Sequence, residues 1–336
     1  MTRMGVREIG RRTGYSPATV SNALNRKPGV SEKAVAAILS CAEEIGYRHP
    51  GRIEGLRFLI ARKSGRILDE GTFHPGVIDG AERQAKQMGF PLSFSTLELS
   101  DKEGTRSQTE AMCRDATTGI ILLGTEMDEG DYDLFAESDA PIVVCDGWSD
   151  RYFFESIVTS NENSAYRAVT YLLEHGHREV GYIRGETVIR NFPLRERGYV
   201  RALREHGLIA NPAFRVTVGT TVSSSYASMH AWLEGRPQLP TAFFAENDIM
   251  ALGCMRALNE HGIDTPRDVS MFGFDDLNFA SIANPPLSTM RVPNRAMGEL
   301  AVRALVESVR QPTDYSRVTH LSTTLVERQS VRTIET

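Results

Sequence analysis

The sequence is poor in the residues that would mark it as secreted, metal-bound or membrane-embedded. It has four cysteines in 336 residues, Cys41, Cys113, Cys145 and Cys254. They lie far apart in apolar surroundings and form no C-x-x-C pair, which argues against a disulfide framework or zinc ribbon and for buried free thiols in a reducing cytoplasm. No apolar run is long enough to span a bilayer, and no signal-peptide core is found near the start, so no membrane partner is expected. There is no low-complexity tract and no short repeat. A Walker loop, a nucleophile elbow and a dinucleotide glycine fingerprint are all missing, so no cofactor is implied and an enzyme is not the expected class.

Net positive charge is also lacking overall, at −5, but it is unevenly spread. The first 52 residues hold nine Lys or Arg against four Asp or Glu, a balance of +5. A basic module for a polyanion joined to an acidic body with another task is the reading this suggests.

That module opens with "REIGRRTGYSPATVSNALN", beginning at Arg7. Val6 and Ile9 give a first helix one apolar side. Gly14 permits a tight turn, Ser16 is a suitable N-cap, and Pro17 at the first helical position sacrifices no hydrogen bond. In the second helix Val20, Ala23 and Leu24 face inward by spacing, while Pro17, Ala18, Ser21 and Asn22 face outward. Thr19 and Ser21 are short hydroxyls suited to phosphates or base edges, and Asn22 can read an adenine bidentately. Ser31 caps a third helix lined by Val35, Ile38, Ala42 and Ile45 and ended by Gly46. A merely solvated three-helix bundle is the plain alternative; the basic balance and the capped turn favour DNA.

This stretch and "VSEKAVAAILSCAEEIGY" after it resemble the headpiece of the lactose-repressor/galactose-repressor family of bacterial transcription factors. The resemblance implies that the helix from Pro17 enters the major groove. Pro17, Ala18 and Asn22 would then face bases, and Ser16, Thr19, Ser21 and Asn25 would mostly meet phosphates; Arg7 completes the DNA-facing set. Asn at position 22, often Arg in the family, shifts the expected preference away from guanine.

Beyond Pro50 the pattern becomes an alternation of strands and helices. Strand-like runs are "LRFLIA", "PLSFSTL", "GIILLG", "PIVVCD", "EVGYIRG", "TAFFAEN", "VSMFGFDD" and "LSTMRV". Helical spacing falls between them, as at 165–174 and 250–261. Some 280 residues of this pattern predict two doubly wound parallel lobes. Ligands in such sheets bind beyond the strands' carboxyl ends. Polar residues stand there at Thr125-Glu126, Asp146-Gly147-Trp148, Glu246-Asn247-Asp248 and Asp275-Asp276, which predicts a shared polar cleft. Asp248 reads as the N-cap of its helix. His175 and His177 read as a helix C-cap with a strand following, not as a metal pair.

The body also resembles the family, through "HGHREVGYIRG", "RERGYVRAL", "AENDIMALGCMRAL", "DVSMFGFDD", "PPLSTMRVP" and "LVERQSVR" in the family's order. The resemblance implies an α/β core like that of periplasmic sugar-binding proteins. Headpiece 1–50, short linker 51–56 and effector-binding core 57–336 are the expected divisions. The N-lobe would span about 57–157 and 290–320, and the C-lobe about 160–286 and 323–336. Three crossovers are placed near Ser156–Asn161, Pro285–Val292 and Thr319–Thr324. Implied effector contacts are Phe73, His74, Asp146, Trp148, Arg195, Asn247 and Asp275, a set suited to a polyol. Simpler readings are an ion pair with Glu196 for Arg195, and a cap or turn role for Asp275.

Three departures matter. Residues 51–56 leave little room for the family's hinge helix, and Gly51 and Gly55 disfavour helix; Leu56 is the one wedge candidate, unless it begins the strand. Ser160 stands where the family often has Asp, and "GTTVSSSYASM" lacks an aromatic that some relatives stack on a sugar. The expectation is a cytoplasmic, homodimeric, operator-binding regulator, in sense a repressor, controlled by a small polar effector of sugar type. The helix around 77–88 is expected near the dimer interface, and no heptad tail follows the last strand to support a tetramer. Competing classes are a cytoplasmic or transport binding protein and a carbohydrate-active enzyme.

Overall fold

A computed structural model of the chain describes residues 6–24, 29–45, 53–67 and 73–335. Three helices come first: α1 (Val6–Thr13), α2 (Pro17–Leu24) and α3 (Glu32–Glu44). Ile9, Val20, Ala23, Leu24, Ile38, Cys41 and Ala42 close a small core of their own. Gly14 has φ 75°, the left-handed value the turn between α1 and α2 requires. The Ser16 hydroxyl accepts the Thr19 N–H at 3.1 Å and so caps α2. Ser31 does the same for α3 through Ala34. Gly46 and Asn25 lie outside the described residues.

The body has two six-stranded sheets. The first contains β1 (Gly55–Arg62), β2 (Leu92–Glu98), β3 (Thr118–Leu123), β4 (Ile142–Cys145), β5 (Glu155–Thr159) and β11 (Val318–Leu321), in the order β2-β1-β3-β4-β5-β11. The second contains β6 (Val180–Gly185), β7 (Arg215–Val218), β8 (Ala242–Ala245), β9 (Ser270–Asp275), β10 (Ser288–Arg291) and β12 (Thr324–Val326), in the matching order β7-β6-β8-β9-β10-β12. All pairs are parallel except β10 with β12. Parallel strands covered on both faces need apolar residues throughout, and β3 and β8 are such runs.

Eight strands fall where the apolar runs are. β5, β7, β11 and β12 are shorter or more polar, and their runs do not stand out in the sequence. Leu56 is the second residue of β1, 1% exposed and paired with Leu92 and Gly119. It is a strand residue and not a wedge, and Ile53 before it already packs into the same core.

The chain crosses between lobes after β5, after β10 and after β11. After β5 it enters α6 (Asn161–Glu174), which packs on α7 (Asn191–Glu205) of the second lobe. α6 starts four residues before the apolar spacing that announces it. After β10 it enters α11 (Asn294–Arg310), which packs on α4 (Phe73–Gln87) of the first lobe. The first and third crossings are tied together: Ser160 N–H donates to the Leu321 carbonyl (2.9 Å), and the Thr323 hydroxyl donates to Ser164 (2.8 Å).

Helices α4 and α11 approach so closely that a Cβ on Gly298 would overlap the Val77 carbonyl, and one on Gly80 the Arg295 carbonyl. Overpacking a tight contact costs about 1–3 kcal/mol. Gly298→Ala is therefore expected to lower the thermal midpoint of the body by several degrees in calorimetry; an unchanged midpoint would mean the helices separate freely.

Candidate functional site

Two surfaces concern function. On the headpiece, Arg7, Ser16, Pro17 and Ala18 are exposed, and Thr19, Ser21 and Asn22 are half-buried. Asn25 is not among the described residues. The Glu8 carboxylate takes hydrogen bonds from both Arg11 and Arg12, which hold it well below the usual carboxylate range. Those two cations are thus partly neutralised within α1.

The second surface is a cavity between the lobes, built at the carboxyl ends of the strands. From the first lobe come Ile67, Phe73 and His74 after β1, Thr125 after β3 and Asp146 after β4. From the second come Ile189, Asn191, Phe192 and Arg195 after β6, Thr220 after β7, Asn247 and Ile249 after β8, and Asp275 and Leu277 after β9. The enclosed space is about 40 Å³. That holds a few waters; a drug-sized ligand needs a pocket of at least ~300 Å³, so a larger ligand must part the lobes.

Arg195 is 6% exposed. Its Nε donates to Asn161 Oδ1 at 2.9 Å, its Nη1 to the Glu246 carbonyl, and its Nη2 stands 3.5 Å from Asp275 Oδ1. Its carbon centre lies 3.7 Å from the Phe274 ring centroid, a cation–π contact. Glu196 pairs instead with Arg215. Asp275 (φ 115°) and Asp146 (φ 54°) both hold left-handed backbone at their strand ends, which is costly for non-glycine residues and recurs at functional sites. Burial pushes the Asp275 carboxyl up to about 7, against the pull of Arg195 and with the push of Asp146. Burial raises Asp146 as well, although Thr125 and Asn191 donate to its two oxygens at 2.7 and 3.0 Å.

Asn247, not Asp248, is the N-cap of α9 (Asp248–Glu260): its Oδ1 accepts the Met250 N–H at 2.9 Å. Asp248 is fully buried one residue on. It receives the Leu277 N–H (2.8 Å) and the Thr289 hydroxyl (2.6 Å), fastening α9 to the ends of β9 and β10. Asp276 is held by Arg291 and Arg328, each at 2.6 Å, and is not open to a cation. His175 is the C-cap of α6, and His177 is used by Thr241 and the Arg332 carbonyl.

Six of the seven predicted cleft residues meet in this cavity. Trp148 does not line it. Its ring lies beneath Arg190, whose guanidinium is 4.4 Å from the ring centroid. Arg190 precedes α7 in the second lobe and reaches Glu129 (2.5 Å) and Asp150 (2.6 Å) in the first, so Trp148 belongs to a latch between lobes. Burial would raise Glu129, but bonds from Ser149, Asp150 N–H and Arg190 outweigh it and hold the carboxyl at about 2. Sequence reasoning missed Asn191, Phe192 and Thr220, and marked Thr125 as a strand-end residue of the cleft without naming it an effector contact. The first two could have been found, one turn before Arg195 on the same helix.

A helix-turn-helix unit joined to a two-lobed, ligand-cleft body is the class of protein these features define. A family profile described as a periplasmic binding protein-like domain matches residues 169–331. The HTH-type transcriptional repressor PurR of Pasteurella multocida is 27% identical over 330 residues, 97% of this chain and 98% of that protein. PurR of Haemophilus influenzae is 27% identical over 336 residues, 98% of this chain and 99% of the relative. Among solved structures, a CelR–cellobiose complex is 25% identical with TM-score 0.73, covering 98% of this chain and all of that one. Over nearly its whole length the chain is therefore similar to HTH-type transcriptional repressors and to a transcriptional regulator solved with cellobiose.

Two outcomes follow from the geometry. An acid raised in the folded state gives stability that is present at low pH and lost as pH climbs from about 3.9, its unfolded value, through about 7. The thermal midpoint of Asp275→Asn, relative to wild type, should therefore rise between pH 5 and pH 8; a flat difference would mean Asp275 is already ionised at pH 5. Arg190→Ala should open the lobes, read as a larger radius of gyration in X-ray scattering, and an unchanged radius would show that the latch does not hold them.

Proposed function

We propose that this chain is a homodimeric operator-binding repressor of the cytoplasm whose hold on DNA is set by a small polar effector bound between the lobes. Residues 1–50 act as the DNA-reading headpiece and about 51–54 as the connection; the body begins with β1 at Gly55, its first lobe runs near 55–159 with 294–321, and its second lobe, which includes β10, near 161–291 with 324–336. It is a regulator, not an enzyme. The observation that carries the reading is the pairing, in one chain, of a capped helix-turn-helix with a cavity whose polar wall comes from both lobes. Among the described residues no helix is long and apolar enough to cross a membrane.

In this reading α2 lies in the major groove. Pro17, Ala18 and Asn22 meet base edges, and Arg7, Ser16, Thr19, Ser21 and Asn25 fix the register on phosphates. Phe73, His74, Asp146, Arg195, Asn247 and Asp275 hold the effector, with Trp148 acting through the latch. An effector can shift the lobes only by its differential affinity for their two arrangements, and allosteric couplings of about 1–3 kcal/mol are usual. Leu56 is held in β1, and so the movement reaches DNA as a change in headpiece spacing.

Two-fold protein symmetry requires a two-fold site. Selection from random duplexes should return a palindrome, and Asn22→Ala should relax one base pair per half-site at a cost of about 1–3 kcal/mol. A single asymmetric site, or no enrichment, would overturn the reading.

A further inference from the structure

Glu126 stands in the line of polar residues at the strand ends, yet it does not line the cavity. It is buried, and its carboxylate is spent on the chain that leaves β1. Its Oε2 accepts the N–H groups of Lys63, Ser64 and Gly65 at 2.8, 2.9 and 3.0 Å. Its Oε1 accepts the Ile67 N–H at 3.1 Å and the Ser64 hydroxyl at 3.2 Å. The remaining amide of the loop, that of Arg66, donates to the Ser64 hydroxyl oxygen at 3.2 Å. Gly65 supplies the left-handed turn, at φ 70°, that lets consecutive N–H groups converge on one anion. Burial would push the carboxyl up, but these amides outweigh it and hold it below the usual carboxylate range.

Loop 63–67 does not stay within its own lobe. Ile67 lines the cavity and packs on the apolar core of the second lobe. Arg66 Nη1 stands 3.2 Å from Glu186 Oε1, across the cleft. Glu186 is the first residue after β6, and Arg190, four residues on, is the one held by Glu129 and Asp150. The second-lobe segment 186–190 is therefore gripped at both ends, and both grips lead back to the chain that follows β3. Glu129 takes Arg190 directly. Glu126, three residues earlier, takes Glu186 through the loop it holds. An exposed ion pair such as Arg66–Glu186 is worth little by itself. What sets it in place, with Ile67 beside it, is the buried carboxylate.

We propose that Glu126 is a positioning residue for the cleft: its carboxylate fixes loop 63–67 in the shape that seats Ile67 in the cavity wall and Arg66 against Glu186, and so holds the first-lobe side of the cleft closed. The inference rests on the regulator reading above, in which the cleft is the effector site. A carboxylate has two acceptor oxygens and no donor, which matches a loop that presents only donors to it. A glutamine would turn an NH2 group toward amides that also donate. Without the carboxylate the loop amides lose their common partner, Ile67 leaves the second lobe, and segment 186–190 is held from one end only.

The test uses the full chain without ligand. Trp232→Phe leaves Trp148 as the sole tryptophan. Hydrogen exchange at 63–67 reports the loop, and acrylamide quenching of Trp148 reports the second-lobe segment, because Arg190 covers that ring. A role confined to shaping loop 63–67 would change the first reading alone. Glu126→Gln should speed exchange at 63–67 by about tenfold or more, the loss of one hydrogen bond, and should raise Trp148 quenching toward the value of Arg190→Ala. In Glu126→Ala the vacated space admits a small carboxylate. At constant ionic strength, formate should restore both readings and neutral formamide neither. Ile67→Ala, with Glu126 intact, should raise Trp148 quenching while 63–67 stays protected. Unchanged Trp148 quenching in Glu126→Gln or in Ile67→Ala, or rescue by formamide equal to that by formate, would overturn the proposal. If the Glu126 variants do not fold, the Ile67→Ala result decides it alone. Selection from random duplexes keeps the two readings apart. Enriched operator with Trp148 unmoved in the variants defeats this inference alone, and exposed Trp148 in the variants without any enriched operator defeats the regulator reading.

Discussion

The guanidinium of Arg195 is buried where four parts of the chain meet. It reaches Asn161 at the first lobe crossing, the Glu246 carbonyl at the end of β8, and Asp275 at the end of β9, and it rests on the Phe274 ring. A charge taken out of water is tolerated only where its donors are met, and removing a partner from such a site typically costs 3–5 kcal/mol. This one constraint explains much around it. Asp275 holds left-handed backbone and sets its carboxylate 3.5 Å from that guanidinium. Asn161 donates onward to Asn191 (3.1 Å), which donates to Asp146 across the cleft. The polar floor of one lobe is therefore wired to the wall of the other through the segment by which the chain passes between them.

The same segment gives the cleft leverage over the rest of the molecule. Phe73 and His74 open α4, and α4 is locked against α11 by glycine contacts that leave no slack. Helix α11 itself follows the second crossing, three residues after the strand paired with Asp275 ends. Close-packed helices move as bodies. A ligand that repositions His74 relative to Arg195 thus shifts whole elements, and Arg190 on Trp148, Glu129 and Asp150 is the surface latch such a shift must accommodate.

Much of this was legible in the sequence, for physical reasons. A doubly wound sheet writes itself as apolar runs followed by polar residues, and Asp146, Asn247 and Asp275 stand at such places. The headpiece declares itself through Gly14, Ser16 and Pro17, whose roles are local. What was misread depended on distant contacts. Asp248 looks like a cap; the helix uses Asn247, because Asp248 is claimed by Leu277 and Thr289 from other elements. Trp148 looks like a ligand platform but is covered by Arg190, 42 positions along the chain. Thr220 carries no local signal, since a threonine at a strand end gains meaning only from what it faces; Thr125 is marked only by its place after an apolar run. β11 and β12 are short and half-exposed and become strands by pairing with β5 and β10.

The central claim is that occupancy of this cleft is felt at the DNA, through Arg195. The direct measurement is a titration of the selected operator with wild type and with Arg195→Ala, with and without a small polar ligand found to raise the wild type's thermal midpoint. Coupling of the usual size predicts a change in wild-type operator affinity of about five- to 150-fold, and none in Arg195→Ala, whose ligand-free operator binding shows that its headpiece is intact. Equal operator affinity with and without that ligand in wild type, or the same shift in both proteins, would contradict the account.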